Sequence, residues 1–136
     1  MKVITAGEVK RFQAPAPYFT GTAWVDPCFE APAPARVSAS RVTFEAGART
    51  AWHSHPLGQM LHVLSGEGFI QWKDGPAQVI RTGDTVWVGP NELHAHGAAP
   101  GGSMCHMAIQ ESLDGSSSTF GPELTDDEYR RPFAAV

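Results

Sequence analysis

The sequence predicts an all-β protein with a single domain, and three features of the chain favour that fold class. At 136 residues it is long enough for one sizeable core. Between Ser38 and Glu111 apolar and polar residues alternate in short segments, as they do along half-buried strands. Turn-forming glycines and prolines separate these segments. Short strands at this spacing are typical of a closed barrel or a double sheet, and not of a parallel α/β fold.

The composition of the chain excludes several classes of protein. With 42% apolar and 18% charged residues it is too apolar to be disordered. A net charge of −4 and the lack of a dense Lys/Arg run argue against a nucleic-acid partner. No apolar run reaches the roughly 18 residues of a membrane span, so we expect no membrane partner. For Cys28 and Cys105 we expect two buried free thiols, the alternative being a disulfide between them. Together with a start that lacks the apolar stretch of a signal peptide, this predicts a cytoplasmic protein.

Two segments flank the predicted barrel of residues 37–112. Residues 1–36 are expected to form an arm that packs on the barrel or on a partner subunit, because proline is excluded from central strands and exposed aromatic rings are costly. The prolines of this segment are Pro15, Pro17, Pro27, Pro32 and Pro34, and its aromatic residues are Phe12, Tyr18, Phe19, Trp24 and Phe29. Residues 113–136 are expected to form a linker and one short helix, with a capping box made by Thr125 and Glu128.

Alternation also predicts which side chains face the lumen of the barrel. In VSASRVTFEAG the charged face should contact water, so Ser40, Val42 and Phe44 should point inward. In SMCHMAIQES, a small alanine beside His106 and Gln110 indicates the lumenal face. His106 is then a candidate general base, since histidine titrates near neutral pH, and Gln110 is a hydrogen-bonding group of the pocket. The alternative for His106 is a histidine in the core or on the outer face.

Four side chains have the spacing of metal ligands. His53 and His55 are two residues apart, so they share one face of a strand. Gln59 follows across the turn-forming PLG, and the HAHG stretch adds His94. Imidazole binds Mn, Fe, Ni, Zn and Cu, and a neutral amide oxygen suits the harder of these ions. The alternative is a set of core histidines, each of which would require a compensating hydrogen bond.

The first histidine stretch resembles the first signature motif of the cupin superfamily, G(X)5HXH(X)3,4E(X)6G. It matches at Gly47, His53, His55 and Gly66, and Gln59 stands where the motif has glutamate. The resemblance implies a cupin fold, which is a double-stranded β-helix or jelly-roll barrel.

The second signature motif of the superfamily, G(X)5PXG(X)2H(X)3N, is matched only in part. Gly83 and His94 agree in spacing. Gly89, Asn91 and Ala98 replace the proline, glycine and asparagine of the motif. The replaced residues mostly shape a turn, so the ligand position is kept.

A narrower resemblance extends over nearly the whole chain. FTGTAWVDPCFEAP, GDTVWVGPNELHAHGAAP and MCHMAIQE are similar to the small bacterial manganese-dependent cupins that act as hydroxynitrile lyases. This resemblance implies a ligand set of three histidines and one glutamine, with His106 as the acid/base residue. The implied metal is Mn(II), with Fe, Zn or Ni as alternatives. Cupins of this size commonly pair their barrels, so we expect a homodimer or a homotetramer.

The reaction implied by the resemblance is the cleavage, and in reverse the formation, of cyanohydrins such as mandelonitrile, with aldehyde and hydrogen cyanide as products. Glutamine in place of glutamate leaves the charge of the metal less compensated, which makes it a stronger Lewis acid. His96 is expected to bond substrate or cyanide, or else to support a neighbouring residue. The predicted pocket residues are Ser40, Val42, Phe44, Thr50, Leu61, His96 and Gln110.

Two other functions compete with the lyase at this stage. Another metal-dependent cupin enzyme, a dioxygenase or an isomerase, would use the same ligands. A dioxygenase would consume oxygen, and an isomerase would prefer a charged pocket. A non-catalytic small-molecule-binding cupin is the third possibility, and it predicts that His106 is dispensable.

Overall fold

The computed structural model describes residues 1–134, so the last two residues of the predicted C-terminal segment, 135 and 136, lie outside the described residues. The described chain is mostly β-structure, which confirms the predicted fold class. The strands are β1 (Phe12–Gln13), β2 (Phe19–Thr20), β3 (Ala23–Glu30), β4 (Val37–Phe44), β5 (Arg49–Thr50), β6 (His53–Ser54), β7 (Gln59–Trp72), β8 (Ala77–Arg81), β9 (Thr85–Val88), β10 (His94–Ala98), β11 (Met104–Glu111) and β12 (Thr119–Phe120). The helices are α1 (Asp126–Arg130) and two 3-10 turns at Ala6–Glu8 and Arg131–Phe133.

The strands form one curled antiparallel sheet in the order β1-β3-β4-β11-β7-β10-β5-β2. Strand β7 joins its two halves. The first part of β7 pairs with β9 and β11, and its last part pairs with β8 and β10. Gly66 lies between these parts with a φ of 82°, and a Cβ there would collide with the Ser103 carbonyl. Only glycine allows this close approach of β7 to the start of β11.

The core lies inside the curl of the sheet. Phe44, Leu61, Val63 and Met104 are among its fully buried members. Strand β11 alternates between buried and half-buried residues, with His106 and Ala108 buried, as its predicted lumenal face requires.

The segment predicted as an arm contains strand β3, which pairs with β4 along most of its length. Pro27 lies in β3, although proline was expected to exclude a central strand. The ladder is irregular between Pro27 and Phe29, and β3 is only one strand from the sheet edge. A bulge near an edge is where a strand tolerates proline.

Helix α1 packs against the outer face of the curl. Thr125 and Glu128 form the predicted capping box. Arg49 of β5 holds the helix by an ion pair with Asp126 at 3.1 Å and lies over the ring of Tyr129. None of the helices in the described part of the chain is long and apolar enough to cross a membrane.

Candidate metal centre

Short strands at one end of the curl bring the predicted ligands together. His53 begins β6 and is paired with His94 of β10, while Gln59 begins β7. His55 lies in the connection between β6 and β7. Each of these four residues is at most 4% exposed. The ring centroid of His53 lies 4.2 Å from that of His94 and 5.1 Å from that of His55. The centroids of His55 and His94 are 5.3 Å apart.

The three predicted histidine ligands share one hydrogen-bonding pattern. Each donates its Nδ1–H to a backbone carbonyl. The bonds are His53 to Ala51 at 2.8 Å, His55 to Ser117 at 2.7 Å and His94 to Glu92 at 2.9 Å. A backbone carbonyl on one ring nitrogen fixes the tautomer that leaves the other nitrogen free as a metal ligand.

Within the described chain, the free ring nitrogens of His94 and His55 have no hydrogen-bond donor beside them. His94 Nε2 lies 3.3 Å from Gln59 Oε1. The amide nitrogen of Gln59 donates a hydrogen bond to Gln110 Oε1. Because the one proton of a neutral His94 ring is used on Nδ1, two lone pairs face each other across this distance. His55 Nε2 is buried and has no hydrogen-bond partner among residues 1–134. A cation bound to these atoms satisfies both groups, so the residues fit a divalent metal ion.

Burial keeps the rings in the neutral state that binds metal. Burial is the largest cause that lowers the pKa of His94 to about 4 and the pKa of His53 well below its usual value. The charges of neighbouring histidines lower both pKa values further. Burial also lowers the pKa of His55. All three rings are therefore neutral at pH 7, and no competing proton has to be displaced by a metal.

His96 also lies close to the ring nitrogens of His53 and His94 that could bind a metal ion. His53, His94 and His96 each bring a ring nitrogen within 4.8 Å of the others, which gives a three-histidine set that differs from the predicted one by replacing His55. The surroundings of His96 are different, however. Its Nδ1 lies 3.0 Å from His106 Nε2 and does not bond a backbone carbonyl. Its Nε2 is buried and finds no partner in the part of the chain that the structure describes.

His106 is completely buried beside His96. Its ring lies edge-on to Phe44, with the centroids 5.3 Å apart. Burial lowers the pKa of His106 to about 4, so the ring is neutral at pH 7 and can accept a proton. His106 Nδ1 has no partner in the described residues.

A cavity of about 180 Å³ connects the histidines with the predicted pocket residues. Six of the seven predicted pocket residues line it, namely Ser40, Val42, Phe44, Thr50, His96 and Gln110. His53, His55, Gln59 and His106 line it as well. Leu61 does not line it, although it belongs to the same core cluster as Val42 and Phe44. His94 does not line the cavity, but it contacts two residues that do, His53 and Gln59.

The cavity has further walls that the sequence did not assign to it. Phe19 and Val25 come from the segment predicted as an arm, and Ser118 comes from the segment predicted as a linker. Ala108 completes the lining, and the alternation of β11 had placed it on the lumenal face. No local pattern marks the first three residues, because their place in the site depends on tertiary packing.

Comparison with known proteins agrees with this geometry. A family profile described as the cupin domain matches residues 40–109. The chain is 50% identical over 131 residues to an (R)-mandelonitrile lyase from Granulicella tundricola, and the match covers 96% of this chain and all of that protein.

Solved structures give the same answer about the fold. A cupin-like protein from Thermotoga maritima is 35% identical, with a TM-score of 0.84 and coverage of 91% of this chain and 94% of that one. A polyketide cyclase from Streptomyces resistomycificus is 16% identical, with a TM-score of 0.74 and coverage of 99% and 94%, and supports the fold alone. The two histidine stretches, the curled sheet and these matches together show that the chain belongs to the cupin family.

Proposed function

We propose that this protein is a metal-dependent lyase that cleaves cyanohydrins such as mandelonitrile to an aldehyde and hydrogen cyanide, and that forms them in reverse. The observation that carries the proposal is the position of His106, a buried neutral base in the same cavity as the candidate ligands. The likeness to an (R)-mandelonitrile lyase over nearly the full length of both chains supports the substrate class.

The metal is proposed to be held by His53, His55, Gln59 and His94. His55 is preferred to His96 as the third histidine because its Nδ1 is fixed by a backbone carbonyl, as in the other two rings. When bound, a divalent ion supplies a Lewis acid that polarises an oxygen of the substrate. Mn(II) is proposed first, because a neutral amide oxygen among the ligands suits a harder ion, and Fe, Zn and Ni are the alternatives.

His106 is proposed to move the proton of the reaction. The neutral ring accepts the hydroxyl proton of the cyanohydrin, and the carbon–carbon bond to the nitrile then breaks. The electron pair of that bond leaves with cyanide, which takes the proton back from His106 as hydrogen cyanide. The hydroxyl oxygen becomes the carbonyl oxygen of the aldehyde. His96, 3.0 Å from His106 Nε2, shares a hydrogen bond that orients the base.

The cavity suits a small aryl substrate. Its volume of about 180 Å³ is below the roughly 300–1,000 Å³ of sites for drug-sized ligands. Phe19, Val25, Val42 and Phe44 provide an apolar wall. Thr50 is part of the lining, and its hydroxyl accepts a hydrogen bond from the His96 backbone N–H at 3.1 Å, so it fixes the strand that carries His96.

Assembly and location are also part of the proposal. We propose a homodimer, or a homotetramer, because large apolar side chains such as Phe12, Trp87 and Leu93 are exposed on the single chain. We propose a cytoplasmic location because Cys28 and Cys105, both half-buried, are unpaired.

The test is the release of benzaldehyde from mandelonitrile, followed by absorbance. Manganese-loaded wild type should release it well above the spontaneous rate. His106→Ala and metal-stripped protein should both lose this release. His62→Ala is the matched control, since His62 bonds Thr85 outside the cavity, and it should keep the wild-type rate. Release no faster than the spontaneous reaction would contradict the lyase and favour an oxygenase, isomerase or binding function.

A further inference from the structure

The carbonyls that orient the three candidate histidine ligands do not come from the same part of the chain. His53 and His94 each bond a carbonyl only two residues earlier, at Ala51 and Glu92. These bonds form with the local strand geometry. His55 instead bonds the carbonyl of Ser117, which is 62 residues away in the sequence. The orientation of one ligand therefore depends on a distant segment, residues 117–120, which we call the strap.

The strap is attached to β6 by backbone pairing. Its last two residues form β12, in which Thr119 pairs with Ser54 and Phe120 pairs with His53. The pairing continues past the strap, because the Gly121 N–H donates to the Trp52 carbonyl at 2.7 Å. Strand β6 has only two residues, and its partners are β10 and β12. Without the strap, β6 would be a two-residue edge strand, which has little stability of its own.

Side chains of the strap also contact the candidate ligands directly. The ring of Phe120 stacks on the ring of His53, with centroids 5.1 Å apart and planes 21° apart. Tyr18 stacks on the other side of Phe120 at 4.4 Å. The Ser118 hydroxyl lies 3.1 Å from His55 Nδ1. The strap therefore contacts both rings: Phe120 contacts the ring of His53, and Ser117 and Ser118 contact the ring of His55. These contacts limit the rotation of the two rings.

We propose that the strap positions His53 and His55 for metal binding, with Phe120 and Ser117 as its positioning residues. The inference depends on the ligand set proposed above and does not depend on the lyase reaction. Partners that orient metal ligands typically contribute about 10- to 100-fold to metal affinity. The strap therefore deepens the proposed function: it makes a segment outside the motif residues part of the metal centre.

The first experiment measures Mn(II) affinity by titration calorimetry on the full chain. Phe120→Ala should weaken binding by about tenfold or more. Phe120→Tyr keeps a planar ring and should restore affinity to within about twofold of wild type. Phe133→Ala is the matched control. It also removes a phenyl ring, but one that packs on Phe69 and does not contact the ligands. Thermal unfolding of each variant, followed by circular dichroism, shows that the variants are folded.

A second measurement determines the tautomer of the His55 ring in the absence of metal. Nitrogen-15 NMR of the metal-stripped wild type should show His55 as the Nδ1–H tautomer, and Phe120→Ala should show a mixture of tautomers while His94 stays unchanged. Equal Mn(II) affinity in wild type and Phe120→Ala, with the His55 tautomer unchanged, would overturn the role of the strap. A wild type that binds no Mn(II) would overturn the ligand set and the strap together. Metal binding that depends on Phe120, in a protein without cyanohydrin cleavage, would support the strap and contradict only the reaction.

Discussion

Metal-stripped protein should lose stability as the pH falls from 7 to 4.5, and His106 supplies a part of this loss that one substitution isolates. Burial lowers the pKa of His106 from 6.5 to about 4. In the unfolded chain the ring takes up a proton as the pH falls through about 6.5, whereas in the folded chain it stays neutral down to about 4. Between these values the unfolded state binds more protons, so the free energy of unfolding decreases with decreasing pH.

The size of the effect follows from the difference between the two pKa values. The difference of about 2.5 units corresponds to about 3 kcal/mol by pH 4, at about 1.36 kcal/mol per unit. In the middle of the window His106 contributes a slope of about 1.4 kcal/mol per pH unit. The pKa values of His53, His94 and His96 are also lowered, chiefly by burial, so these rings add to the slope with the same sign.

Urea unfolding of metal-stripped wild type and His106→Leu at several pH values from 7 to 4.5 measures this slope. His106→Leu removes the titrating group while keeping a side chain of similar bulk, so the wild type should lose stability faster than the variant as the pH falls. The slope of the variant should be smaller by about 1.4 kcal/mol per pH unit in the middle of the range. Equal slopes for the two proteins would refute the assignment of a strongly lowered pKa to a buried, neutral His106.

Three further substitutions test separate parts of the structure. Gln59→Glu adds a negative charge to the proposed ligands, so Mn(II) should bind more tightly in calorimetry while the cleavage rate falls by roughly tenfold, and a faster enzyme would contradict the assigned role of the neutral amide. Leu61→Ala should cost about 2–5 kcal/mol in urea unfolding, because the side chain is fully buried, yet leave the KM for mandelonitrile unchanged, because it does not line the cavity. Thr125→Ala should remove the cap of α1 and cost about 1 kcal/mol, with no change in metal affinity; a weakened metal site would mean that the helix supports the ligands.

The fold and the inward-facing residues were predictable because strand alternation is a local property. The two-residue period places Ser40, Val42 and Phe44 on one face, and all three line the cavity. The same period points Leu61 inward, but it cannot tell how deep along the barrel a side chain lies. Leu61 packs in the same core cluster as Val42 and Phe44 but does not reach the cavity wall.

Other parts of the site depend on contacts between distant segments, which the sequence pattern does not encode. Ser117 and Ser118 lie in a polar stretch that is typical of a linker, and Phe19 lies between prolines. Only the folded chain brings Ser117 to His55 and Phe19 to the cavity. The prolines also argued against a strand at β3. A bulge nevertheless allows Pro27 to remain in a strand near the sheet edge.

The measurement that tests the central claim most directly is the rate of mandelonitrile cleavage as Mn(II) is added back to metal-stripped protein. The proposed centre predicts that benzaldehyde release increases linearly and then stops increasing at one metal ion per chain, and that His106→Ala binds the same single ion without any release. Cleavage that does not depend on added metal, or that persists in His106→Ala, would contradict the proposed role of this site.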